Sequence, residues 1–243
     1  MEPQIKTPYY SPNVPEPLPA MNEIEAGELI VDHNGWKVTR VRNFVVKYGD
    51  SRTLNLIQGE HMLFVDQATN SKVKVPKVYA LYSAIHDSIL QNFIIMEYIE
   101  GSTLEILWPN LSETEKESIA LRLKDYFDQL RKILPPGYYG SIGRQPLLHE
   151  IFWTEPTAFI NGPFNSEKDL NEAIALKYAQ ESVSQRDFKS DFYRRSLNNV
   201  FKNHPPCFTH GDFQRKNILV KTGQAGIEIT MIDWESSGWL PSY

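Results

Sequence analysis

From Glu28 onward the chain alternates apolar and polar positions in short runs. Leu29 to Val31, Trp36 to Val41 and Phe44 to Tyr48 predict three strands, joined by an Asn34-Gly35 turn and a break at Arg42-Asn43. Asn-Gly between alternating apolar residues is a strong hairpin signal, because both positions tolerate the positive φ of a tight turn. Between Thr53 and Thr69 the period lengthens: Leu56, Ile57, Phe64, Val65 and Ala68 recur at helical spacing, with Gly59 a small local cost. Lys77 to Ala84 and Asn92 to Ile99 read as two further strands around a polar turn at His86 to Ser88.

Helices are expected to open at Ser102 and Ser112. Ser112-Glu113-Thr114-Glu115 has the capping-box form, in which each side chain satisfies a free amide at the helix start. Ile119, Leu123, Tyr126, Phe127, Leu130, Ile133 and Leu134 follow on one face, and Pro135-Pro136-Gly137 stops the helix. Tyr138 to Asn165 is rich in Gly, Pro and aromatic residues and shows no sustained period, so it is expected to pack irregularly near the mouth of a cleft. Ser166 caps a helix running through Gln180, and a second helix is expected from about Arg186 to Lys202, with Arg194-Arg195 on its solvated face. Ile218 to Val220 and Ile227 to Ile232 close the pattern as a strand pair around a turn marked by Gly223 and Gly226.

Composition changes this picture at one end. Pro3, Pro8, Pro12, Pro15, Pro17 and Pro19 crowd the first residues, which prevents helix and predicts an extended arm. Tyr9 and Tyr10 could dock on the body or on a partner, but a mobile tail is the simpler expectation. At 243 residues the chain can bury a sizeable core, as one bilobed unit or two small domains. The net charge of −5, with scattered basic residues, argues against nucleic acid as a partner. No apolar run approaches a bilayer span and the amino terminus has no apolar signal region, so no membrane association and a cytoplasmic location are expected. Cys207 is the only cysteine, which rules out an intrachain disulfide, and it reads as a small buried hydrophobe.

The candidate chemistry lies late in the chain. Thr209-His210-Gly211-Asp212-Phe213-Gln214-Arg215-Lys216-Asn217 is followed by the strand pair and then by Ile232-Asp233-Trp234-Glu235. Asp212 and Asn217 flank a tight loop, and the returning strand carries Asp233 back beside Asn217. One carboxylate, Asp212, can orient an attacking hydroxyl and accept its proton. The amide of Asn217 and the carboxylate of Asp233 suit magnesium, which binds oxygen and takes its remaining ligands from water and substrate phosphates.

His-Gly-Asp, four residues, Asn, and then a strand ending Ile-Asp-Trp-Glu resembles the aminoglycoside phosphotransferase and choline kinase-like family, from about Val38 to the end. Gly238-Trp239-Leu240-Pro241 is similar to the Gly-Trp-x-Pro that follows in the version common in filamentous fungi. The resemblance implies a protein-kinase-like bilobed α+β fold, with a small antiparallel β-sheet lobe plus one helix and a larger, mainly helical lobe. The corresponding division here is a Pro-rich arm over residues 1–22, a nucleotide-binding lobe over 23–100 and a catalytic lobe over 101–243. It further implies an ATP-dependent phosphotransferase that uses Mg2+ and a hydroxyl-bearing small molecule. Family members continue into helices beyond the point matching Tyr243, so an incomplete carboxyl-terminal end is expected.

The same resemblance assigns Lys47 to the α- and β-phosphates of ATP and the backbone of Glu97 and Ile99 to the adenine. Glu60 shares the inward face of its helix with Ile57 and Phe64, where an unpaired carboxylate would be costly, and Lys47 is the expected partner. The kinase pattern Gly-x-Gly-x-x-Gly is absent, and Arg42 and Asn43 are all that the turn expected over the phosphates offers. His210 is expected to brace the Asp212 loop rather than carry the proton. A catalytically silent kinase-like protein that binds nucleotide or a partner is the alternative. A protein kinase is disfavoured, because no activation segment of normal length fits between Asp233 and Tyr243.

Overall fold

In the computed structural model, residues 5–152, 158–181, 188–223 and 226–243 are described. The expected start of a helix at Arg186 and the centre of the turn after Gly223 fall outside them. The chain divides into two compact units. One runs through Tyr126 and takes in Gln214–Trp234; the other comprises Phe127–Phe213 and Glu235–Tyr243.

The first unit is built on a six-stranded antiparallel sheet. Its strands are β1 (Tyr9–Tyr10), β2 (Glu28–His33), β3 (Trp36–Val41), β4 (Phe44–Asp50), β5 (Val78–His86) and β6 (Ile89–Glu97), in the order β1-β5-β6-β4-β3-β2. Alternation decides which face each residue serves: Phe44, Val46 and Tyr48 cluster with Tyr79, Ala80, Phe93 and Ile95, while Lys47 between them points the other way, toward Gln58. The helix α2 (Ile57–Ala68) covers this second face. It starts later than its apolar period suggests. Thr53 and Leu54 both donate to Asp50 O, and Asn55 Oδ1 accepts from Ile57 N, so a turn occupies the residues before Ile57. Gly59 has a packing reason, since a Cβ there would sit 2.2 Å from Leu81 Cδ2.

The arm is docked, contrary to the mobile tail expected. Tyr9 and Tyr10 pair with Leu81 and Ala80 and so cover an edge of the sheet, and Ser11 N donates to Tyr79 O at 2.8 Å. Beyond it, the short helix α1 (Met21–Glu25) lays Ile24 over the apolar sheet face, joined by Leu18 and Met21. That face would otherwise leave Phe44, Tyr48 and Phe93 open to water, and burying such rings is worth about 1.5–3 kcal/mol each. Proline density forbids helix but not this extended docking.

The unit is completed by β7 (Ser102–Thr103), α3 (Leu104–Leu107), most of α4 (Glu113–Leu130) and the hairpin of β9 (Ile218–Gly223) and β10 (Gly226–Met231). The capping box forms as expected: Ser112 Oγ accepts from Glu115 N and Glu115 Oε2 accepts from Ser112 N. Thr103, rather than Ser102, caps α3. The run of α4 ends at Leu130 and leaves Leu134 86 % exposed instead of on the core face. The last bonds, Lys132 N to Gln129 O and Ile133 N to Leu130 O, are tightened to three residues, and a residue before proline avoids the helical region.

The second unit packs α5 (Ala158–Asn161), α6 (Glu167–Glu181) and α7 (Phe188–Val200) with a two-stranded sheet of β8 (Pro206–Thr209) and β11 (Gly238–Pro241). Tyr139, Leu147, Phe152, Phe164, Leu170 and Ala173 form its core. The aromatic stretch before Ser166 thus packs irregularly, as its lack of period implies. Trp239 is fully buried, edge-on to Phe208 at 5.2 Å, with its backbone paired to Gly140.

Candidate active site

Lys47 lies in the middle of β4, between Val38 and Ile94 on the flanking strands, and is 4 % exposed. An ammonium so deep needs acceptors. It donates to Gln58 Oε1 at 2.7 Å and stands 4.5 Å from the centre of the Trp36 ring. Glu60 stands in the first turn of α2 and is half-buried. Gln58, itself buried, had no signal in the sequence, because a helical polar residue next to Ile57 reads as solvent-facing.

Glu97 ends β6 opposite Phe44, and the irregular segment Tyr98 to Gly101 follows. Its donors are taken in turn: Glu97 N donates to Lys77 O at 2.8 Å and Tyr98 N to Asn43 O at 3.0 Å. The Ile99 amide has no hydrogen-bond partner among the described residues, which leaves it able to donate to a ligand. Glu100 is tied to Lys221 of β9 at 3.0 Å, and this bond lowers the Glu100 carboxyl and raises the Lys221 ammonium.

The turn at Arg42-Asn43 corrects an expectation. It lies against Tyr98, and its donors are engaged by the arm. Arg42 bonds to Glu23 Oε1 at 2.5 Å, Glu16 Oε2 at 3.0 Å and Pro17 O at 2.8 Å, and Asn43 Nδ2 donates to Glu16 Oε1 at 2.9 Å. With its guanidinium and amide bound in this way, the turn is not a phosphate loop. The Asn34-Gly35 turn is at the opposite end of β3, where Gly35 O accepts from Asp50 N.

Asn217 and Asp233 are brought together by the β9–β10 hairpin. Ile218 pairs with Met231, and the ladder ends with Ile232 N donating to Asn217 O at 2.9 Å. Asn217, 4 % exposed, is fixed from the other side by its own amide on Gln214 O at 3.0 Å. Asp233 follows with φ of 61°, a left-handed conformation that costs a non-glycine residue about 1–3 kcal/mol unless its surroundings hold it. The Trp234 indole donates to Met231 O at 2.8 Å, and Trp234 O accepts from His61 Nδ1 of α2 at 2.7 Å. A carbonyl can only accept, so Nδ1 carries the proton. No group of three or more His, Cys, Asp or Glu among the described residues could hold a metal alone. One amide and one carboxylate fit magnesium that shares its coordination with phosphate oxygens.

Asp212 belongs to the other unit and follows β8, half-buried. Gly211 has φ of 81°, and a Cβ there would lie 2.1 Å from Ser236 O, so only glycine fits. Ser237 Oγ donates to His210 O at 2.9 Å, and Asp212 N donates to His210 Nδ1 at 3.4 Å. The imidazole therefore braces the loop, as expected. Cys207, on β8, is half-buried, and its thiol pKa is raised by that burial despite the nearby Arg131.

Residues 32–241 match the model of the phosphotransferase enzyme family known as APH. The chain belongs to this family. Solved structures resemble it in fold at low identity. The chain overlays on a structure assigned as the fructosamine-3-kinase of Haemophilus somnus 129PT with a TM-score of 0.57 at 16 % identity, covering 86 % of this chain and 65 % of that one. Aminoglycoside phosphotransferase APH(4)-Ia gives 0.57 at 17 %, covering 88 % and 67 %. The GDP complex of aminoglycoside 2'-phosphotransferase-IIIa gives 0.58 at 14 %, covering 88 % and 68 %. The chain thus spans about two thirds of the length of these structures. No curated protein matches it. The fold is the kinase-like α+β fold of the family, and no helix among the described residues is long and apolar enough to cross a membrane.

Proposed function

We propose that the protein transfers the γ-phosphoryl group of ATP to a hydroxyl of a small-molecule acceptor. The observation that supports this reading is the Ile232–Asn217 backbone bond, which pairs Asn217 with the residue before Asp233 in the unit that also buries Lys47 and leaves the Ile99 amide available. In this reading Ile99 N and Glu97 O meet the adenine, Lys47 the α- and β-phosphates, with Glu60 as its partner on α2. Asn217 and Asp233 would hold magnesium, which when bound neutralises charge on the phosphates. Asp212 orients the acceptor hydroxyl and takes its proton. Family membership supports phosphotransfer to a small molecule. Structural neighbours described with AMP-PNP and hygromycin B, or with GDP, support nucleotide binding.

The test begins with binding. ATP is expected to raise the melting temperature with Mg2+ present and much less after chelation, since a ligand stabilises only the state it binds. A well-folded protein with no magnesium-dependent shift would refute the Asn217–Asp233 assignment. A Mg2+–ATP assay against a panel of hydroxylated metabolites then identifies the acceptor. Normal nucleotide binding with no turnover on any of them would favour a silent nucleotide-binding protein.

A further inference from the structure

Asp233 is held in its left-handed conformation by bonds on both sides, and one of them comes from far away in the chain. His61 and Trp234 are 173 positions apart, both wholly buried, and joined by the 2.7 Å bond from Nδ1–H to Trp234 O. Two further restraints are local to the hairpin: the Asn217 carbonyl fixes the residue before Asp233, and the Trp234 indole closes back on Met231 O. The imidazole anchors the carbonyl beyond Asp233 from a separate helix. The bond also ties this loop to α2, the helix that presents Gln58 to Lys47 and carries Glu60.

We infer that His61 is a positioning residue for Asp233: by donating to the Trp234 carbonyl it fixes the direction of the carboxylate on which magnesium-bound ATP depends. The inference rests on the reading of Asn217 and Asp233 as the metal pair. It assigns His61 no proton transfer and no contact with substrate. The imidazole acts as an outer partner that holds a metal ligand in place, and loss of such partners weakens metal affinity roughly 10- to 100-fold.

The experiment measures ATP affinity by calorimetry on the full chain, with Mg2+ and with EDTA, for wild type, His61→Leu and His61→Asn. Leucine fills much of the volume without a donor. Asparagine places an amide N–H at the same number of bonds from Cβ as Nδ1. His61→Leu is expected to lose roughly 10-fold of the magnesium-dependent gain in affinity, with metal-free ATP binding within about twofold of wild type, and His61→Asn to recover most of that loss. A wild-type gain in His61→Leu would overturn the inference, and so would an asparagine variant as poor as leucine or a parallel fall in metal-free binding. If wild type itself shows no magnesium-dependent gain, the metal pair is wrong and the inference falls with it. Should His61→Leu fail to fold, His61→Asn is compared with His61→Gln, whose amide lies one bond too far; equal magnesium gains in the two would overturn the proposal.

Discussion

The two aspartates that stand out in the motif are held by different means. Asp233 is strained at φ of 61° and is restrained by the hairpin ladder, the Trp234 indole and a helix far away in sequence. Asp212 follows a glycine that takes the positive φ instead, and its loop is braced by His210 and by Ser237, only 27 positions from the carbonyl it bonds. The strain is thus on the aspartate itself in one case and on its neighbour in the other. Under the proposed function this difference has a use: a metal ligand must keep one direction, whereas a group that receives a proton needs reach and can be placed by a less strained loop. Each aspartate is therefore expected to fail in its own way.

The largest effect tests the chemical half of that contrast. Asp212→Asn is expected to lower turnover roughly 10²- to 10⁴-fold on any acceptor found, with Mg2+–ATP affinity nearly unchanged. Loss of binding together with turnover would instead make Asp212 part of the nucleotide site. Next is Trp234→Ala, which empties the space of a wholly buried ring and removes the indole donor. Chemical denaturation should show about 3–5 kcal/mol lost, and calorimetry a loss of magnesium-dependent binding as well. Binding that survives the stability loss would show that Asp233 does not need this restraint.

Gly211→Ala meets Ser236 O in a conformation that side chains avoid, so a loss of about 1–3 kcal/mol is expected in urea unfolding. Gly223→Ala is the control: a Cβ there has nothing within 4 Å among the described residues, and the change should stay within about 0.5 kcal/mol. Equal effects at the two glycines would remove the argument for strain beside Asp212. Smallest is Ser237→Ala, which removes the hydroxyl on the His210 carbonyl and should cost about 1 kcal/mol. With Asp212 turnover reduced only a few-fold, it would show how much looseness that loop tolerates.

Much of the first unit is legible in the sequence alone. The strand pattern and the Ser112 capping box follow from local alternation and local chemistry, which are written in adjacent residues. The resemblance in the motif likewise points to Lys47, Glu60, Asp212, Asn217 and Asp233. The features that are not legible share a physical cause. The docking of the arm, the engagement of Arg42 by Glu16 and Glu23, and the burial of Gln58 beside Lys47 all depend on partners remote in sequence.

Periodicity therefore determined most of the longer strands and helices, and the motif proposed which polar residues belong together, because both are properties of short stretches. Only the tertiary structure decided that a proline-rich arm would close one sheet face and that Arg42 would be drawn away from any phosphate. It alone showed that a histidine on α2 would hold the carbonyl beyond Asp233. The reason is that a hydrogen bond between residues 173 positions apart forms only when the sheet, the helix and the hairpin are all in place, and no spacing along the chain records it.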